Sequence, residues 1–387
     1  MTDVIKNNSL QKNPVNQKKV RNSNLELLRI ISIIMIIAHH YAVHGFGEVA
    51  YSFNKNVLEI LHSGGKLGVD IFVLISGYYM INSKFTLNKF LKLASEVFTY
   101  SIAFFLFFYI FGPRVKFDLS IAMPITQNSF WFITCYVLLM LLTPFLNKAC
   151  KNMSQKQHLS LIAVLTLMFP MPQLFLLTEL KIYSNPLIIF VLLYFIATYV
   201  RIYSDKIKGS AKKHITVAVA VTVFYWAILL LLNYLFYKTN YDFINKLIVY
   251  VKSQDSIFLI IIATELLIGF SRMKPHYINW VNILASTSFG IYLIHDSDLT
   301  RYYILRFLLK TTTMVKSNLI IPHAILSVII IYCIGAIIDL LRQNTVEKIT
   351  NLIIDKYIMK LIDKLKAPTK KLCSFTKIMY EKIYSDT

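Results

Sequence analysis

An arginine and a histidine sit eleven residues apart in one apolar run, Leu25 to Gly45, LELLRIISIIMIIAHHYAVHG. In a helix eleven steps leave only about 20° of rotation and about 16 Å of rise, so Arg29 and His40 share a face at opposite ends of a span. An arginine presents a planar donor fork that suits phosphate. A histidine, titrating near neutrality, suits proton abstraction from a hydroxyl. Ionisable groups inside a membrane segment are costly and face a bundle interior or a wet cavity, so this helix is expected to line a site. Each residue alone has a plainer explanation, Arg29 as a snorkelling anchor and His40 as an interhelical hydrogen-bonding group; the shared face favours a joint role.

Other candidates flank this pair. His39 points about 100° away from His40, towards a neighbouring helix. His44 lies four residues beyond His40, a spacing that can hold a metal, but Gly45 and Gly47 end the helix there and the sequence offers no third ligand; no metal is expected. Asp70 falls at the depth of His40 in the stretch Gly64 to Tyr79, GGKLGVDIFVLISGYY, where it either orients the imidazole or pairs with Lys66 at i,i+4. Trp131 opens a later span, as an interface aromatic or a substrate contact. His295 and Asp296 close the stretch SFGIYLIHDSDLTR, again at the depth of His40, and are candidates to line an acceptor site. At the other end Lys89 and Lys92, three apart on one face, could join Arg29 in holding an anionic donor. Glu265 is a buried acid whose partner the sequence does not name.

The elements that must position these residues are membrane helices. Of 387 residues 56% are hydrophobic and only 16% charged, a composition outside that of ordinary soluble domains. Runs long enough to cross a hydrocarbon core occur at roughly 26–45, 66–82, 93–112, 129–146, 159–178, 186–203, 214–236, 256–271, 277–296 and 319–341. The expected fold is all-α, a polytopic membrane helix bundle with about ten transmembrane helices. Residues 1–24 form a polar, basic arm, 25–341 the membrane domain and 342–387 a basic tail. In that tail Val346, Ile349, Ile353, Tyr357, Leu361 and Leu365 recur at helical spacing between Lys348, Lys356, Lys360 and Lys364, a pattern that suits an anionic membrane surface or a solvated helix packed on the bundle.

The net charge of +21 is a topology signal, because most of the Lys and Arg residues fall in alternate loops and in the two tails. The positive-inside rule then places both termini in the cytoplasm. With no zinc-finger spacing, phosphate loop or basic helix with interleaved aromatics, nucleic acid is not an expected partner. The four cysteines, Cys135, Cys150, Cys333 and Cys373, form no CxxC pair and suggest neither a disulfide framework nor a zinc site. No small-residue cleavage site follows the first apolar run, which reads as an uncleaved span.

Four motifs in order resemble the acyltransferase family 3 of multi-span membrane proteins, over Leu25 to about Leu341: Arg29 and His40 with ten residues between them, Gly68 to Tyr78, Trp131–Phe132 with Pro144, and Ser288 to His295. The resemblance implies that an acyl group moves from cytoplasmic acyl-CoA to a hydroxyl, commonly of a glycan. His40 is then the catalytic residue and Arg29 contacts the donor. Lys89 and Lys92 stand where the family often has two arginines, and they lack the planar fork. The His39–Tyr41 and Ile294–Asp296 segments look most like the branch that modifies bacterial surface polysaccharides. The expectation is therefore a multi-pass protein of the bacterial cell membrane that acetylates a surface glycan or a lipid-linked precursor. Acetyl-CoA is its donor substrate, with no tightly bound cofactor; membrane lipids surround it, and a homo-oligomer is compatible with the sequence. A secondary transporter or flippase for a glycan or acyl precursor fits the composition equally, without the inverted pair of broken helices typical of many transporters.

Overall fold

The computed structural model describes residues 22–112, 116, 118–126, 130–174 and 185–364; most of the basic arm, Leu365 and Cys373 lie outside them. Among the described residues there are helices and no strands. The helices that matter for the site are α1 (Ser23–His44), α2 (Phe53–Met80), α3 (Leu87–Phe111), α4 (Trp131–Asn152), α5 (Gln155–Met168), α6 (Pro186–Ile202), α7 (Ala211–Thr239), α8 (Asp242–Lys252), α9 (Ile257–Arg272), α10 (Asn279–Ser286), α11 (Ser288–Asp296), α12 (Ile320–Asn344) and α13 (Val346–Ile353).

This is an all-α polytopic membrane bundle. Six of its described segments are long and apolar enough to cross a bilayer: α1, α3, α4, α7, the stretch Asp242–Arg272 and α12. The difference from about ten has identifiable causes. Polar residues along α2, among them Glu59, Lys66 and Asp70, dilute its apolar character. The run expected at 159–178 stops after Met168, resumes as a short helix from Pro170 to Leu174 and then leaves the described residues. The run at 277–296 is divided at Thr287 into α10 and α11. Pro186–Ile202 is apolar but only 17 residues long. On α7 the apolar side chains Val219, Val223, Phe224 and Leu231 are exposed, as a lipid-facing helix requires because hydrocarbon solvates them as well as a protein core does.

α1 is the axis of the bundle, packed by α2, α9, α10, α11 and α12. Its first turn is capped by the Asn22 side chain, which accepts from the Asn24 N–H, satisfying one of the orphan donors of a helix start. Its last turn is met by Arg306, which donates to the carbonyls of His44 and Phe46 at 3.0 and 3.1 Å, a cation placed where the helix dipole is negative. α2 approaches α1 most closely at two glycines. A Cβ on Gly65 would lie 2.2 Å from His39 Cγ, and one on Gly68 would lie 2.6 Å from the Ser32 carbonyl oxygen. Small residues of this kind let membrane helices touch backbone to backbone.

α11 is seated in a similar way. A Cβ on Gly290 would fall 2.1 Å from Asp339 Oδ1 of α12. That carboxylate is itself held by Tyr100 Oη at 2.6 Å and by Arg342 Nε and Gln343 Nε2 at 2.7 Å each. A polar anchor at one end of α11 thus fixes where its other end, carrying His295 and Asp296, meets α1.

Candidate active site

The α1 stripe Arg29, Ile33, Ile36, His40 follows the i, i+4, i+7, i+11 positions of one face. His40 is buried, with 9% of its surface exposed. Its Nε2 lies 3.4 Å from Asp296 Oδ1, delivered by the end of α11. A carboxylate only accepts, so a hydrogen bond to it puts the proton on Nε2 and leaves Nδ1 its lone pair. That Nδ1 is buried with no protein partner. At 3.4 Å the two groups are within ion-pair reach without a formed hydrogen bond, a geometry that substrate binding can tighten in a catalytic pair.

Asp296 is pinned by Arg301, whose NH2 reaches its Oδ1 at 2.9 Å and its main-chain carbonyl at 2.7 Å. His295 stands beside the pair, its ring centroid 5.0 Å from that of His40. Its Nδ1 is 2.6 Å from the Ile291 carbonyl and must donate to it. The His295 Nε2 is therefore a lone pair, buried and unpartnered like the Nδ1 of His40. Two acceptor nitrogens are held open in one buried place by oriented partners, an arrangement suited to receiving a hydroxyl proton.

The remaining histidines separate by partner. His39 turns to α2, where its Nδ1 donates to the His62 carbonyl at 2.6 Å and its ring meets the His62 ring edge-on at 4.8 Å. His44 stays near His40, ring centroids 5.4 Å apart. Together His40, His44 and Asp296 offer one donor atom each, all within 4.8 Å of one another. The structure thus supplies the third potential ligand that the sequence does not show. Tetrahedral zinc draws nitrogen and oxygen ligands to about 2.0–2.2 Å from the ion, and the Arg301 guanidinium already occupies Asp296 Oδ1.

Asp70 is wholly buried and accepts from Gln254 Nε2 at 3.2 Å. Its neighbour Lys66 places its ammonium 4.5 Å from the Trp131 ring centroid. The position beside the His40 imidazole therefore belongs to Asp296, while Trp131 and Lys66 form a separate cation–aromatic pair. Glu265 finds its partner in His214, Nδ1 to Oε2 2.6 Å, with the other ring nitrogen 3.1 Å from the Lys208 carbonyl.

At the opposite end Arg29 pairs with Glu26 at 2.5 Å, and its guanidinium carbon lies 5.8 Å from the Phe72 ring centroid. Lys89 donates to Ser83 Oγ at 2.7 Å and to the Lys84 carbonyl at 3.1 Å. It also lines a cavity of about 250 Å³ walled by Ser83, Lys84, Tyr136, Met140 and Thr143. Lys92 is drawn elsewhere, to Asp355 of the tail helix at 2.9 Å, and the same carboxylate accepts from Asn88 at 2.5 Å. Arg301, which clamps Asp296, is not singled out by the sequence. Its signal was a cation five residues after Asp296, which reads as an ordinary loop charge until the fold turns it back.

A family model described as an acyltransferase domain matches residues 22–340. No curated protein and no solved structure matches the chain.

Proposed function

The chain belongs to the acyltransferase family 3, whose domain covers most of its length, and from that premise we propose that it moves an acetyl group from cytoplasmic acetyl-CoA to a hydroxyl of a surface polysaccharide or of its precursor. The observation that carries the reading is the His40–Asp296 pair, with Nε2 turned to the carboxylate and Nδ1 buried and open. The acceptor hydroxyl gives its proton to His40 Nδ1 while its oxygen attacks the thioester carbonyl carbon. The C–O bond forms, the C–S bond breaks, and the CoA thiolate leaves, taking up the proton that His40 collected. Asp296 holds the ring in the productive tautomer and balances the imidazolium that forms in between.

Arg29 and Lys89 suit the donor end. Both stand at the end of the bundle that the basic loops assign to the cytoplasm; the Lys89 ammonium lines the cavity there, the Arg29 guanidinium, paired with Glu26, lies at the same end, and cations so placed attract CoA phosphates. Trp131, Lys66, His295 and Asp70 stand at the other end, where a sugar ring could stack on the indole and hydrogen-bond to the polar side chains. In this reading the protein sits in a bacterial cell membrane with both termini cytoplasmic.

The test is the acetyl content of the surface glycan, read by mass spectrometry from cells that make the wild-type protein, cells that make the His40→Ala variant and cells that lack it. The expected result is O-acetyl groups only with the wild type, at equal levels of membrane-inserted protein. Normal acetylation with His40→Ala would remove His40 from the chemistry. Equal acetylation in cells lacking the protein would remove the acceptor assignment.

A further inference from the structure

Between the two ends of the α1 stripe the route is nearly closed. Ile33 and Ile36 of α1 face Val69 and Phe72 of α2, Phe132 of α4 and Tyr292 of α11 around a gap of about 10 Å³, no more than the volume that admits one water. The aromatic rings are interlocked. Phe132 meets Phe72 at 5.8 Å and 87°, Tyr292 at 5.5 Å and 69°, and stacks on Tyr136 at 5.8 Å and 23°. Tyr136 belongs to the wall of the larger cavity that Lys89 lines. Tyr292 continues to His295, ring centroids 6.4 Å apart, and His295 to His40. Phe72 lies beneath Arg29. Phe132 is thus the ring common to both sides, touching the cavity through one neighbour and the histidine cluster through another.

We propose that this aromatic cluster, with Phe132 at its centre, is the gate through which the acyl group reaches His40, and that its narrowness selects acetyl over longer acyl chains. The proposal rests on the preceding reading of donor and base at opposite ends. A thioester arm entering from the cavity must displace Phe132 to place its carbonyl beside His40. Every methylene beyond the acetyl methyl then has to fit among Ile33, Ile36 and the rings. An apolar wall discriminates a methylene by about 10–200-fold. A closed cluster also keeps the polar ends from joining through water, so the bundle stays sealed when no donor is bound.

Two readouts test it, one of chemistry and one of the barrier alone. In proteoliposomes, transfer from butyryl-CoA relative to acetyl-CoA is expected to rise at least tenfold, on the scale of one methylene's discrimination, in Phe132→Ala, with a smaller rise in Phe132→Leu. For the barrier, Val69→Cys is placed in a chain whose four native cysteines are serine. Its labelling by a charged methanethiosulfonate reagent, added from the Lys89 side, is followed with and without Phe132→Ala. Labelling is expected to be slow with Phe132 and about tenfold or more faster without it, since removing the ring joins the gap beside Val69 to the cavity that Lys89 lines and so admits the reagent. An unchanged butyryl-to-acetyl ratio in a Phe132→Ala variant that still transfers acetyl groups would overturn the selectivity. Unchanged labelling would overturn the gate. If labelling behaves as expected but the wild type transfers no acyl group from any CoA thioester, the donor reading falls and the barrier stands.

Discussion

The two nitrogens of His40 meet different surroundings, and in the proposed mechanism that asymmetry lets the buried imidazole act as a base. Asp296 lies at Nε2 and Arg301 holds Asp296 in place, so in the proposed mechanism Asp296 and Arg301 are positioning residues for His40. Asp296→Asn keeps the shape but can offer its NH2 group to Nε2, reversing the tautomer and putting the proton on the nitrogen that must accept one. A change of this kind at a His–Asp pair lowers turnover by up to about 10⁴-fold, and a fall of at least about 100-fold in kcat with KM within a factor of a few is expected from steady-state kinetics. Arg301→Ala should lower kcat as well, since it leaves the buried Asp296 carboxylate without its counter-charge. The residue types were legible in the sequence: His40, His295 and Asp296 stood out as costly groups at one depth. Their pairing was not, because α1 and α11 lie at opposite ends of the chain and nothing local joins them. Asp70 and Lys66 show the converse. Four residues apart on one helix, they invite pairing, yet the fold gives Asp70 to Gln254 and Lys66 to the face of Trp131.

Helices carry these residues to one place by close approach at a few points. The α1–α2 crossing depends on Gly65, and Gly65→Ala would set a methyl group against His39. Forcing an extra carbon into a packed contact typically costs about 1–3 kcal/mol. A lower Tm of the detergent-solubilised protein is therefore expected, along with reduced activity as α1 shifts. The sequence could not show the break between α10 and α11, because the apolar run continues through Thr287. The tail was legible as a helix with a basic and an apolar face, and α13 with the helical turns after it follows that pattern to residue 364. Its apolar side chains Ile349, Leu352, Tyr357 and Leu361 remain exposed, while Asp355 ties it to α3 through Lys92 and Asn88. Those two partners hold the Asp355 carboxyl below its ordinary range. The folded-state pKa is lowered, so the tie is complete above the ordinary carboxylate range and is lost only as pH falls through the lowered value. Asp355→Asn is expected to speed limited proteolysis between Val346 and Lys364 at neutral pH; an unchanged cleavage rate would show that the apolar face alone holds the tail.

For the whole molecule, composition announces a membrane protein before any residue is considered, and the helical bundle with its lipid-exposed apolar surface agrees. The span count was less legible, since a hydropathy run does not distinguish one straight helix from two joined at a bend, nor an amphipathic buried helix such as α2 from a loop-flanked one. The bundle places Arg29 and His40 at opposite ends of one helix, with an aromatic constriction between them. That architecture accounts for a transferase that draws its donor from one side and serves an acceptor at the other. A transporter of the same size would carry its solute through without covalent change. The most direct test is therefore transfer itself, with purified wild type and His40→Ala in proteoliposomes, acetyl-labelled CoA and a hydroxyl-bearing glycan. The account predicts label covalently attached to the glycan with the wild type and at least about 100-fold less with His40→Ala, the scale of a lost general base. Label that crosses the membrane on an unaltered carrier, or a glycan labelled equally by both proteins, would contradict it.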